Sequence, residues 1–91
     1  MEIGVSKMTS IKVVFFASLK DGVGMSDCII DADLPISIAE LKAVLADHLD
    51  NGQILLKDGV QSSVDFEFTR DSDLVTAGVR EVAFFPPVTG G

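Results

Sequence analysis

The sequence has few of the groups that build metal and redox sites. Its 91 residues include one cysteine, Cys28, and one histidine, His48. A lone cysteine excludes an internal disulfide, a four-cysteine zinc site and a four-cysteine iron–sulfur cluster. A lone histidine excludes a multi-histidine metal site. Basic residues are also scarce: seven Lys and Arg against fourteen Asp and Glu give a net charge of −7. That balance argues against nucleic acid, whose binders need a basic face to displace counterions, and against anionic membranes. It favours solubility and a partner with a basic surface. No stretch approaches the ~20 consecutive apolar residues that span a bilayer. Residues 1–10 lack the apolar h-region and small-residue cleavage site of a secretory signal. A soluble, cytoplasmic domain is expected.

What is present suits one small globule. The chain is 47% hydrophobic and 23% charged, well away from disordered compositions, and its length fits a single domain. Residues 1–10 read as an N-terminal extension. Ile11-Lys12-Val13-Val14-Phe15-Phe16-Ala17 is a β-prone run, too apolar for a fully solvated face. Asp21-Gly22 and Gly24 mark a loop, and Cys28-Ile29-Ile30-Asp31-Ala32 reads as a second strand hairpinned to the first. Pro35-Ile36-Ser37 then opens a helix. Ser37 followed by Glu40 is a capping box, and Ile38, Leu41, Leu45 and Leu49 recur on one face. Asn51-Gly52 supplies the stop. Residues 53–57 suit a short strand or a helical turn equally. Ser63-Val64-Asp65-Phe66-Glu67-Phe68 alternates like a half-buried strand, residues 69–73 are polar loop, and Glu81-Val82-Ala83-Phe84-Phe85 is the last strand, ended by Pro86-Pro87.

The order β-β-α-(β)-β-β is α+β. It matches the ubiquitin-like β-grasp: a mixed sheet covered on one face by one main helix, with the first and last strands parallel at its centre. Two consecutive hairpins are the rival topology. Heavily apolar first and last strands favour central positions, because they make poor edges.

Most side chains with chemical potential have an ordinary explanation. His48 borders the helix stripe without a second histidine, and Cys28 lies beside two isoleucines as a small hydrophobe. No Lys or Arg closely precedes Cys28 to lower its thiol pKa. The acidic residues scatter over turns and helix flanks. Asp21-Gly22-Val23-Gly24 lacks both the dinucleotide fingerprint and the Walker lysine.

The last residues stand apart: Phe84-Phe85-Pro86-Pro87-Val88-Thr89-Gly90-Gly91. Two prolines fix φ and hold the exit from the sheet extended. The four residues beyond reach at most ~13–14 Å, and Gly90 and Gly91, lacking Cβ atoms, suit a narrow tunnel. A frayed tail is the alternative, but the aromatic–proline lead-in argues against it.

From Ile11 to Gly91 the chain resembles the MoaD/ThiS-type family of ubiquitin-like proteins, and within it the small, sulfur-carrying subunits of molybdopterin synthase. The first strand and, almost letter for letter, Glu81-Val82-Ala83-Phe84-Phe85-Pro86-Pro87-Val88-Thr89-Gly90-Gly91 carry the resemblance. Thiazole-forming sulfur carriers share the double glycine but usually not the Phe-Phe-Pro-Pro lead-in. Departures are the long start, Ala77-Gly78-Val79-Arg80 in place of an Asp-Gly-Asp type turn, and Asp65 where Asn is expected. The resemblance implies three segments: an extension over 1–10, a ubiquitin-like domain over 11–87, and a flexible sulfur-carrying Gly-Gly tail over 88–91.

The resemblance further implies that an adenylating enzyme of the ubiquitin-activating type uses ATP on the Gly91 carboxylate. A sulfur donor protein then leaves a thiocarboxylate, and Pro87, Val88, Thr89 and Gly90 insert with it into the synthase large subunit. There the sulfur passes to cyclic pyranopterin monophosphate. The expected assembly is a heterotetramer of two small and two large subunits, in which this chain is non-catalytic on its own and binds no cofactor or metal. Two alternatives stay open: a carrier for thiazole or another pathway, and a ubiquitin-like interaction module or modifier without sulfur chemistry.

Strand phase predicts where partners dock. Lys12 and Glu81 must face solvent, because an unpaired buried charge is expensive. Period-two alternation then sends Val14, Phe16, Ala83 and Phe85 outward as an apolar patch, continued by Pro86, and leaves Val13, Phe15, Val82 and Phe84 facing the helix. Such a patch marks an interaction site, with Phe85 as its anchor, unless residues 1–10 or a second copy cover it.

Overall fold

The computed structural model describes residues 8–87. Strand β1 spans Met8–Phe15, and Ile11, Val13 and Phe15 are buried while Ser10 and Lys12 are exposed. The strand starts earlier than the sequence suggested. β2, Asp27–Asp33, is long enough to offer ladder partners from Met8, paired with Asp33, down to Val14, paired with Asp27. Residues 8–10 are therefore sheet rather than loose extension, and the Ser10 hydroxyl donates to Asp31 Oδ1 at 2.6 Å.

The loop expected between these strands is instead a short helix, α1, over Ala17–Val23. It buries Leu19 and Val23, four residues apart on one face. Gly24 closes it in the left-handed region at φ +85°, its N–H donating to the Lys20 carbonyl. After β2 and the two-residue β3, Ile36–Ser37, the main helix α2 runs over Ile38–His48. Its capping box forms as expected: the Ser37 hydroxyl accepts from the Glu40 N–H at 3.1 Å, and the Ser37 N–H donates to Glu40 Oε1 at 3.2 Å. Ile38, Leu41 and Leu45 are fully buried. The helix stops at His48, short of Asn51-Gly52, because a 3-10 helix over Gly52–Leu56 follows and buries Leu55. That settles the ambiguous segment as a helical turn.

The alternation over residues 63–68 conceals a reversal. β4 is Gln61–Val64 and β5 is Glu67–Thr69. Asp65 and Phe66 between them have φ +48° and +72°, the paired positive values of a two-residue type I′ hairpin turn. β6, Leu74–Val75, pairs with β3 in a separate two-stranded sheet, and β7 is Glu81–Phe85 as expected.

The main sheet has the order β2-β1-β7-β4-β5. β1 and β7 run parallel at its centre, with Val13 beside Val82 and Phe15 beside Phe84. The ubiquitin-like arrangement thus prevails over two separate hairpins. Val13, Phe15, Val82 and Phe84 point into the core, against Ile38, Leu41 and Leu45 of α2. One charged group joins the packed layer. Lys42, almost fully buried, donates from Nζ to the Val60 carbonyl at 3.1 Å and to Asp71 Oδ1 at 2.8 Å, tying α2 to two loops. No helix among the described residues is long and apolar enough to cross a membrane.

Candidate docking face and tail exit

The sheet face away from α2 follows from register. Residues directly opposite on adjacent strands share a face. Val14 pairs with Ala83, Ala83 with Ser63, and Ser63 with Phe68, which makes one outward row across four strands. Phe16 and Phe85 stand in the next row, and their rings stack at 4.9 Å with planes 3° apart. Phe68 leans on the other side of Phe85 at 5.7 Å. Three aromatic rings therefore form one contiguous apolar surface, with Phe16 43% and Phe68 75% exposed.

The phase read from Lys12 and Glu81 holds for both central strands, but exposure within the outward set is uneven. Ala83 is only 5% exposed. Its single methyl lies between Val14 and Ser63 in the row and forms the floor of the patch. Phe85 and Pro86 are half-buried, since Phe16 and Phe68 flank the Phe85 ring. Sequence reasoning missed Phe68. Its face depends on the Asp65-Phe66 turn, and an Asp-Phe pair gives none of the usual Asn-Gly signal of a type I′ hairpin.

The patch has a charged border. Asp27, Asp31 and Asp33 alternate along the outward face of edge strand β2, with Ile29 among them. Asp27, opposite Val14, borders the aromatic surface directly, whereas Asp31 and Asp33 lie farther along β2, opposite Ser10 and Met8 and beyond Lys12.

β7 is held firmly at both ends. At its start, Asp65 Oδ1 accepts from the Arg80 and Glu81 N–H groups, both at 2.9 Å, and the Asp65 N–H donates to the Glu81 carbonyl. An asparagine side-chain oxygen has the same acceptor capacity. At its end, Phe85 pairs with Gln61 of β4, and Pro86-Pro87 lead away beside the Asp58-Gly59 turn. Val88, Thr89, Gly90 and Gly91 lie outside the described residues.

Cys28 and His48 stand apart from this face. Cys28 is half-buried against the core; burial first, and the Asp27 carboxylate second, push its thiol pKa up, the opposite of a reactive cysteine. His48 Nδ1 lies 2.9 Å from the Val44 carbonyl in its own helix. Among the described residues, no cluster of His, Cys, Asp or Glu could hold a metal ion.

Comparison with known proteins places this geometry. The chain is 38% identical over 82 residues to the molybdopterin synthase sulfur carrier subunit of Escherichia coli (strain K12), a match covering 89% of this chain and 99% of that one. Its fold is shared with SAMP1 from Haloferax volcanii, at a TM-score of 0.72 and 22% identity over 90% of this chain and 99% of that one. It is shared also with a chain in the complex of subunits 1 and 2 of molybdopterin-converting factor from Helicobacter pylori 26695. There the TM-score is 0.59 and the identity 19%, over 91% of this chain and all of that one. The model of the ThiS family matches residues 13–91, and with the ubiquitin-like sheet and the run from β7 through the double glycine, the chain belongs to the ThiS family.

Proposed function

We propose that this protein is the sulfur carrier subunit of a molybdopterin synthase and that Gly91 carries the sulfur. The observation that supports this most is the run Phe84-Phe85-Pro86-Pro87-Val88-Thr89-Gly90-Gly91 leading off the central strand, in a chain 38% identical to a sulfur carrier subunit of that synthase. A carboxylate is a poor electrophile because its leaving group would be oxide. Attack of the Gly91 carboxylate on ATP, on an adenylating enzyme, expels pyrophosphate and gives an acyl-adenylate. Sulfide supplied by a sulfur donor protein then attacks the acyl carbon, the bond to AMP breaks, and loss of the S–H proton leaves a thiocarboxylate. That anion is a better nucleophile, and its tether makes delivery effectively intramolecular. The acceptor is cyclic pyranopterin monophosphate held by the large subunit. A dithiolene needs two sulfurs, so each product consumes two loaded carriers.

The outward sheet face serves as the dock for the large subunit and for the adenylating enzyme in turn. Val14, Phe16, Ala83, Phe85 and Pro86 form its centre, Phe68 extends it, and Asp27 at its edge favours a partner with a basic rim. Intact mass of the protein from its native cell tests the reading. A mass increase equal to one oxygen replaced by sulfur is expected, and deleting Gly91 or adding one residue after it should abolish molybdopterin formation at nearly unchanged melting temperature. Absence of the sulfur adduct, or normal synthesis by either variant, overturns the carrier reading. Sulfur found on a chain that co-purifies with thiazole-forming enzymes overturns the pathway.

A further inference from the structure

Gly59 and Pro87 are set against each other by the sheet. β4 pairs Val64 with Val82 and Gln61 with Phe85; two residues further along that antiparallel register, Gly59 falls opposite Pro87. Proline has no N–H to continue the ladder, so packing replaces hydrogen bonding at this step. Gly59 has φ +88°, and a Cβ added there would lie 2.9 Å from Pro87 Cβ and 3.2 Å from Pro87 Cγ. Carbon atoms in ordinary contact stand ~3.5–4.0 Å apart. The pyrrolidine ring thus occupies space that only a glycine leaves free.

We propose that the Asp58-Gly59 turn is a seat for Pro87 that aims the tail, making Gly59 a positioning residue for sulfur delivery. The proposal rests on Gly91 being the sulfur-carrying residue. The four residues after Pro87 reach at most ~13–14 Å, so the point and direction at which Pro87 leaves the sheet limit where Gly91 can be brought, and a methyl at position 59 moves that origin by roughly half an ångström or more. Misplacement by about 1 Å costs on the order of 10²-fold in rate.

The molecule supplies its own control. Gly24 has nearly the same backbone, φ +85°, but no atom within 4 Å of an added Cβ. Gly24→Ala imposes the left-handed strain without touching the tail, whereas Gly59→Ala imposes both. Gly59→Asn keeps the Cβ that meets Pro87 while tolerating positive φ.

The experiment uses the full chain in all three variants. Melting temperature, affinity for the large subunit and single-turnover transfer from the loaded carrier at saturating large subunit are measured for each. Gly59→Ala and Gly59→Asn should both transfer at least about tenfold more slowly with affinity changed less than about threefold, although Asn melts nearer the parent. Gly24→Ala should lose melting temperature and keep its transfer rate. Normal transfer by Gly59→Asn, or an equal loss in Gly24→Ala, overturns the proposal. Nuclear Overhauser contacts between the Gly59 α-protons and the Pro87 ring test the seat without sulfur chemistry. If the parent never carries sulfur, the functional reading fails while these contacts still decide the seat, and their absence in the parent refutes it.

Discussion

Replacing Asp65 separates the two things it does for the strand that leads to the tail. Its carboxylate receives two backbone N–H groups at 2.9 Å, from Arg80 and Glu81, and its own backbone holds φ +48°. Hydrogen bonds to charged groups contribute ~1.5–3 kcal/mol each when shielded; Asp65 is exposed, so about 1 kcal/mol each is a fair discount. Left-handed backbone costs an alanine ~1–2 kcal/mol and an aspartate or asparagine less. Asp65→Ala therefore costs about 2–3 kcal/mol. For a domain of this size each kcal/mol moves the melting temperature by about 4–8 °C, which makes a drop of roughly 10–20 °C. Asp65→Asn keeps an acceptor oxygen and the tolerance of positive φ, and should lose under about 1 kcal/mol. Thermal unfolding by circular dichroism, with urea titration as a check, measures both. An asparagine variant as unstable as the alanine one would show that charge, not acceptor geometry, holds the strand. An alanine variant within a degree of the parent would refute the reasoning altogether.

Phe85→Ala should leave a cooperative fold, because its ring is half-buried outside the core, yet weaken binding to both the large subunit and the adenylating enzyme by ~2 kcal/mol or more; calorimetric titration beside a melting curve checks it, and unchanged affinity would remove Phe85 from the interface. Cys28 binds its proton more tightly in the folded protein than in the unfolded one, by burial and then by Asp27. Its contribution to stability is accordingly complete below the unfolded thiol's pKa of ~8.5 and is lost as pH rises through the folded value. Iodoacetamide at pH 8 should label Cys28 more slowly than free cysteine, with Asp27→Asn faster than the parent, and labelling as fast as the free thiol would contradict the shift.

How much of this was legible depended on whether a signal was local. α2 declared itself through Ser37, Glu40 and the Ile38-Leu41-Leu45 spacing, all within one element. The central strands declared themselves as apolar runs, and Lys12 and Glu81 fixed their phase, so the side presented by Phe16 and Phe85 could be read in advance. α1 was hidden because Phe16-Ala17 prolongs the strand-like run and Gly22 and Gly24 imitate a turn; the available clue was Leu19 and Val23, four apart. Ser63 to Phe68 alternated straight through a reversal, since both turn residues take positive φ without a glycine. β3 and β6 are two residues each, too short for any periodicity. Phe68 was hidden by that same Asp65-Phe66 turn, and Gly59 meets Pro87 only through the register of β4 with β7, segments that no single window of sequence displays together.

The place of β7 also bears on how the protein comes to be folded at all. The strands made before it form two antiparallel ribbons, β1 with β2 and β4 with β5, and among the described residues β7 is the only main-sheet strand that touches both. Two-stranded ribbons are marginal alone, and here each would present an apolar or unpaired edge until the last strand arrives. A chain interrupted before Glu81 is therefore two open ribbons rather than a smaller version of the domain, prone to pair with other chains. Its closing contacts are also among the most distant in sequence, the kind that slow folding. The strand that leads to the C-terminal residues is thus the same one that completes the sheet, so a folded domain has already acquired the strand those residues follow.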